Sequence, residues 1–391
     1  MQPSQFSGVQ SFRVLIVGNT CNYGVWLAIL LRRFNANIEV AVLVEDNDLL
    51  RDKPEWDSLS DLVDFYDIHI GSFNPSGLNQ ISTLLSKNRC ATLEGYDCIY
   101  CFGLMAAMFV CNSGFSFVYH SYGDLLSTPF NDEPFNLRKS LRVFLSRRAL
   151  FSARAVVISQ YADLAVARRF GVTPKLNEVP IMHGEELGNS GKSVLARHAI
   201  FDHDGLKFYL PARHEGIKRL DKAINAIADV IEELSLSDVK IVLTSWGAQI
   251  KQTEQLIVER KLQSLCVWIP LQTRSELLSN LNSSNTVVLD EFEDESVEMS
   301  FGGISRDSIS EGAILVTKLN KHVVSGLYQG LPSILDCDHT QSSIKDAVKK
   351  AVALTGDQNK LEIYRRDLKM WYELNFNPER LFERYMEIIA P

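Results

Sequence analysis

In PARHEGIKRL, Arg213 closes an apolar run and Lys218 follows five residues later, just ahead of a helical pattern. Cations at the two ends of a strand–loop–helix unit can hold a diphosphate, the guanidinium through directed hydrogen bonds and the ammonium as a mobile charge. A solvated loop with two ordinary surface cations would read the same way. Further on, SFGGISRDSISEGAILV joins Gly302 and Gly303 to a short helical stretch that contains Asp307 and closes at Gly312. Glycines ahead of a helix let a phosphate approach its free N–H groups and positive end. A carboxylate at 307 can accept hydrogen bonds from a ribose diol; a capped connecting helix is the plainer reading. In the first half, GNTCNYG places Gly18, Asn19 and Gly24 where backbone can come close to a ligand, although GxGxxG is absent. In VYHSYGD, His120, Gly123 and Asp124 follow an apolar run. A neutral imidazole there can orient a hydroxyl or serve acid/base chemistry, or else be a satisfied core histidine. Cys98 and Cys101 are spaced CxxC inside the strand-like run DCIYCFG, not at a helix start, and read as buried fillers. GKS at 191–193 does not complete a phosphate loop, because Glu186 stands where that loop needs glycine.

Those residues need elements to hold them. Apolar runs of strand length alternate with longer helical patterns. The first series is 13–18, 39–44, 97–103, 115–120, 155–160 and 177–182, with a helix over 23–33. A polar stretch, 184–193, precedes a second series at 207–212, 239–247, 267–271, 286–292, 313–318 and 331–337, with helices over 219–234 and 341–354. The alternation predicts an α/β chain of two Rossmann-like domains, with mostly parallel sheets and a ligand cleft between the domains at the carboxyl ends of the strands. The expected boundaries are 1–190 for the first domain and 191–370 for the second. A terminal helical segment, 371–391, breaks near Asn377-Pro378 and is expected to pack back toward the first domain.

With 391 residues, 46% hydrophobic and 23% charged, the chain has material for more than one core. A net charge of -8 argues against wholesale coating of nucleic acid, so no nucleic-acid partner is expected. Seven cysteines in a chain this long fit a reducing, cytoplasmic compartment better than a disulfide scaffold. The first residues lack the basic-then-apolar pattern of a secretory signal, and no apolar run reaches about 18 residues. Membrane contact is therefore expected to be peripheral. One stretch inverts the local charge: RKSLRVFLSRR carries Arg138, Lys139, Arg142, Arg147 and Arg148 and no acid, while Leu137, Leu141, Phe144 and Leu145 recur at helical spacing. Such a helix can meet an anionic membrane surface or a phosphorylated acceptor; a packed helix with a solvated basic edge is the other reading.

Taken in order, these fragments resemble a sugar-nucleotide glycosyltransferase with two Rossmann-like domains (GT-B), and within that class family 4, a retaining group. The resemblance covers most of the chain. GNTCNYGVWLAILLRR is similar to the family's GNxANNxYxLAxxLR: Gly18, Asn19, Asn22 and Leu27 match, while Cys21 and Tyr23 replace Ala and Asn. YHSYGDL resembles a first-domain segment that brings a histidine or a Gly-Ser-Asp near the cleft; Tyr122 replaces that serine, with Gly123 and Asp124 shifted. PARHEGIKR keeps the spacing of GRxxxxKG at Arg213 and Lys218, with Arg219 in place of the glycine, and VVLDEF is similar to the strand before the donor loop. In the family motif EGFGxxxxEAMAxGxPVI, Phe301-Gly302 and Gly312 fix the register. Asp307 then takes the ribose-binding glutamate and Met299 the glutamate that contacts the donor sugar, with Glu298 adjacent to substitute for it.

The resemblance implies transfer of a sugar from a nucleoside diphosphate sugar to a glycan, a glycolipid precursor or another acceptor, with retention, as in polysaccharide biosynthesis. The second domain would hold the nucleotide and the first the acceptor. The nucleotide sugar is a substrate, and no separate cofactor or metal is implied, since Arg213, Lys218 and the amides at Gly302 and Gly303 would meet the diphosphate charge. His120 and Asp124 would face the reacting centre, with Gly18 and Asn19 beside the donor. The acidic run 291–298 reads as a polar loop, not a metal site. Rivals stay open: a sugar-nucleotide epimerase on the same fold, a catalytically weakened nucleotide-sugar-binding assembly protein, to which Met299 points, a phosphorylase, or an inverting family 1 transferase.

Overall fold

A computed structural model describes residues 11–19, 22–45, 53–73, 91–121, 137–158, 161–172, 198–215, 218–292, 302–321, 324–325 and 328–390. The chain forms two compact units, Met1–Ser190 with Phe376–Pro391, and Gly191–Asn375. In the first, β1 (Phe12–Val17), α1 (Tyr23–Phe34), β2 (Ile38–Glu45), α2 (Lys53–Phe65), β3 (His69–Phe73), β4 (Cys98–Phe102), α3 (Gly103–Asn112), β5 (Val118–Ser121), α4 (Leu137–Ser152), β6 (Ala155–Ile158) and α5 (Tyr161–Arg169) follow in order. The second contains β7 (Leu206–Leu210), α6 (Leu220–Leu234), β8 (Val239–Thr244), α7 (Ile250–Glu259), β9 (Cys266–Ile269), α8 (Arg274–Leu281), β10 (Thr286–Asp290), α9 (Gly303–Glu311), β11 (Ile314–Lys318), β12 (Leu335–Cys337) and α10 (Gln341–Thr355). Helix α11 (Gln358–Phe376) leads out of it to α12 (Pro378–Ile389).

Each unit is built on a six-stranded sheet, in the orders β3-β2-β1-β4-β5-β6 and β12-β11-β10-β7-β8-β9. All the strand pairs are parallel. This is one topology used twice, the doubly wound Rossmann order. The direction of winding reverses between β1 and β4 in one sheet and between β7 and β10 in the other. Loops leaving the carboxyl ends of two such strands diverge to opposite faces and leave a crevice, the usual place for a ligand on such a sheet.

Alternation along the strands builds two cores in the first unit. Val14, Ile16, Val40, Val42, Cys98, Tyr100 and Phe102 face one side; Leu15, Val17, Ala41, Leu43, Ile99 and Cys101 face the other. The two cysteines of the CxxC pair thus lie on opposite faces of one strand, and burial raises the pKa of both thiols above the ordinary value. Helix α1 is buried from Gly24 through Leu31, as expected for a helix apolar on every side. The sheet covers one side of it. Leu381, Tyr385, Ile388 and Ile389 of α12 join the same cluster, and Phe34 stacks on Phe382 with ring centroids 5.5 Å apart. The break before α12 is a cap: Asn377 Oδ1 accepts from the amides of Glu379 at 3.0 Å and Arg380 at 3.2 Å, with Pro378 in the first turn. At the other end, Arg154 donates to the carbonyl of Ile389 at 2.7 Å, a cation placed on the helix's negative pole.

Candidate functional site

In the second unit the crevice position is occupied by charge. Strand β10 pairs with β7 on one side and β11 on the other, so the residues just past Leu210 and Asp290 are neighbours. Asp290 is fully buried. Its Oδ2 accepts from the amide of Ser305 at 3.1 Å and from the Ser305 hydroxyl at 2.9 Å, which ties the end of β10 to the first turn of α9. The next residue, Glu291, has φ 56, a left-handed conformation that disfavours side chains by about 1–2 kcal/mol. The turn aims its carboxylate back at the helix start. It forms an ion pair with Lys218 and accepts a hydrogen bond from the Gly302 amide. Lys218 Nζ also lies 3.7 Å from Asp290 Oδ1. Burial, with Asp290 alongside, pushes the Glu291 pKa above the usual carboxylate value despite the opposing pull of Lys218.

Lys218, Gly302 and the amino end of α9 therefore come together, as the diphosphate reading requires. The anion they hold is the chain's own. At Glu291 the structure departs from the polar-loop reading of 291–298: this acid is 6% exposed and ion-paired, because the αL turn folds it inward, while 293–298 lie outside the described residues. Gly302 is needed for the same reason, since a Cβ there would overlap the Glu291 carboxylate. Gly303 is exposed, with nothing within 4 Å of a built Cβ. Arg213 goes elsewhere: its guanidinium is half exposed, 3.2 Å from Glu215 and 5.2 Å above the Trp246 ring. Arg219, which stands where the resembled segment has glycine, has φ 47 and sits at the N-cap of α6. The chain thus makes a left-handed turn here with arginine, where glycine is the residue that turn favours. Asp307 lies inside α9, 2% exposed. Glu298 and Met299 fall outside the described residues, as does Asp124.

At the crevice of the first sheet, Gly18 has φ 90, and a Cβ on it would overlap the carbonyl of Phe102 at the end of β4. Asn19 is fully buried; its Oδ1 accepts from the Val25 amide at 3.0 Å and its Nδ2 donates to Asn22 Oδ1 at 2.9 Å. Gly18 and Asn19 thus shape the strand-to-helix turn and cap α1. His120 lies 2.8 Å from the Tyr100 hydroxyl through Nδ1 and stacks on Phe102 at 4.7 Å. Burial pushes its pKa down to about 3. So weak a base takes no proton near neutrality, and hydrogen bonding by a neutral ring is the role its surroundings favour. Next to it, Ser121 donates to Asp163 Oδ2 at 2.6 Å. The Ser121–Asp163 pair does not stand out in the sequence, and VVLDEF reads there only as the strand before the donor loop, without the pairing of Asp290 and Glu291 with Lys218. For Asp290 and Glu291 the available signal was two acids at the end of a buried strand, which is unusual unless something pairs them.

No family model matches this chain, and neither does any curated protein. Solved structures with the same fold include HepE of Anabaena, crystallised with UDP and glucose, at 12% identity and a TM-score of 0.65 over 97% of this chain and 99% of that one. Sucrose-phosphate synthase of Thermosynechococcus elongatus aligns at 12% identity and 0.65 over 96% and 98%. A UDP-N-acetylglucosamine 2-epimerase aligns at 12% identity and 0.56 over 97% and 96%. The likeness runs the full length and shows the fold: this chain is of the GT-B type, two Rossmann-like units in succession.

Proposed function

We propose that the protein is a glycosyltransferase that takes a sugar from a nucleoside diphosphate sugar and passes it, with retention, to a glycan, glycolipid precursor or other carbohydrate acceptor. The observation that carries the reading is the convergence of Lys218, the Gly302 amide and the amino end of α9 on one anion at the β7/β10 crevice. A donor diphosphate has the charge and the acceptor oxygens that this cradle serves, and the same groups would stabilise the nucleoside diphosphate as it leaves. Arg213 would swing from Glu215 to the phosphates, and Asp307 would take the ribose hydroxyls. Neutral His120 would orient a sugar hydroxyl. The full-length likeness to a structure crystallised with UDP and glucose supports the donor class.

Among the described residues, no helix is long and apolar enough to cross a membrane. Peripheral attachment on the cytoplasmic side is part of the same proposal. It is supported by α4, where Phe144 and Phe151 are exposed on one face and Arg147 lies 5.6 Å over the Phe151 ring.

The second reading, epimerisation of the nucleotide sugar, is favoured by the likeness to a 2-epimerase. Product analysis decides between them. Incubation with a panel of nucleotide sugars and carbohydrate acceptors should release nucleoside diphosphate and give a glycoside whose anomeric configuration, read by NMR, matches the donor. An epimerised nucleotide sugar with no transfer would reject the transferase in favour of the epimerase. Tight donor binding with neither product would leave a nucleotide-sugar-binding assembly protein.

A further inference from the structure

The cradle at the head of α9 already contains an anion, and its geometry gives that anion a role. Among the described residues, Glu291 is faced by Lys218 from the loop before α6, by Asp290 from the end of β10 and by the Gly302 amide from α9. The Lys318 amide, from β11, donates to its backbone carbonyl at 3.3 Å. One cation therefore serves two buried carboxylates. Asp290 Oδ1, fully buried, has no hydrogen-bond partner among the described residues; Lys218 Nζ lies 3.7 Å from it. A donor diphosphate entering here meets its binding groups already engaged, and it brings more negative charge to a place where burial amplifies repulsion.

We propose, resting on the donor-site reading above, that Glu291 is a resident anion that stands in for the donor diphosphate, and that donor binding releases Lys218 and the Gly302 amide by protonating Glu291. The side chain is walled in by Gly302 and held by its left-handed backbone, so it gives up charge more readily than place; buried carboxylates in general neutralise when a partner is lost. The raised pKa of Glu291 eases that step. The sign follows. Diphosphate takes Lys218 away and adds negative charge, so the Glu291 pKa rises further on binding and a proton is taken up. Donor affinity then falls as pH rises between the free and the bound pKa, by up to about tenfold per pH unit for one proton. Glu291 is thus a positioning residue that sets when the cradle opens.

The experiment is calorimetric titration of UDP-glucose, whose diphosphate diester does not titrate near neutrality, into wild type, Glu291→Gln and Arg213→Ala from about pH 5 to about pH 8. Wild type should bind more weakly as pH rises and take up protons, read as a dependence of the heat on buffer ionisation. Glu291→Gln, a mimic of the protonated form, should bind about tenfold tighter at the high end and show no pH slope. Equal affinity and equal slope for wild type and Glu291→Gln would overturn the inference; if Arg213→Ala still weakened binding, the donor-site reading would survive. Proton uptake by wild type needs no variant to fold, and its absence would overturn the inference by itself. Failure of wild type and Glu291→Gln alike to bind UDP-glucose, GDP-mannose or ADP-glucose at any pH would remove the donor-site reading and the inference with it.

Discussion

Lys218 pairs with two buried carboxylates, Asp290 and Glu291, and that makes it structural besides its proposed part in donor binding. Lys218→Ala should cost about 3–5 kcal/mol, because it leaves two buried acids without their cation. Urea denaturation reads this directly, and adding Glu291→Gln should restore a good part of it; no restoration would mean the pair is not coupled. Arg213 is different, since its solvent-facing contacts carry little stability. Arg213→Ala should leave unfolding almost unchanged and weaken nucleoside diphosphate binding by about 1–3 kcal/mol, the range for a lost charged hydrogen bond. Unchanged affinity by calorimetry would remove Arg213 from the site. What the sequence announced at this scale was spacing: Arg213 to Lys218, and the register from Gly302 to Gly312. It could not announce Glu291, because a left-handed turn, not residue type, decides that this acid points inward. Nor did histidine at a strand's end tell whether His120 was a base; only its buried contact with Tyr100 and Phe102 does.

Helix ends and helix faces carry the next tests. Ser235 closes α6 in a left-handed conformation, φ 50, exposed at the surface. Ser235→Gly should stabilise the second unit by about 1 kcal/mol, roughly 2–4 °C in Tm for a unit of this size; a lower Tm would show that the turn relaxes without glycine. On α4, replacing Phe144 and Phe151 by serine and Arg147 and Arg148 by glutamine should reduce sedimentation with anionic vesicles, most clearly at low salt. Equal sedimentation would assign α4 to some other partner. Strands with continuous apolar runs, such as β4 and the Val287–Leu289 centre of β10, are visible in sequence because both faces are buried. β3 was not foreseen. HIGSF is an edge strand with Phe73 its one buried residue, so neither an alternating nor a continuous pattern betrays it. The strand expected at 177–182 lies outside the described residues.

The whole molecule repeats one topology and then returns to its first half. Because α1 is apolar all round, something beyond the sheet must cover it, and α12 supplies Leu381, Tyr385 and Ile388. Leu381→Ala should destabilise the first unit by about 2–5 kcal/mol while the second keeps its own transition, which calorimetry on the full chain would resolve; equal shifts in both transitions would mean the units unfold as one. The central claim is that the crevice between β7 and β10 holds the diphosphate of a nucleotide sugar. A crystal structure of the chain soaked with UDP-glucose or UDP tests this most directly. The predicted result is a diphosphate within about 3.5 Å of Lys218 Nζ and of the Gly302 or Gly303 amide, with the ribose hydroxyls at the Asp307 carboxylate. A nucleotide seated away from α9, or ribose oxygens more than about 5 Å from Asp307, would contradict it.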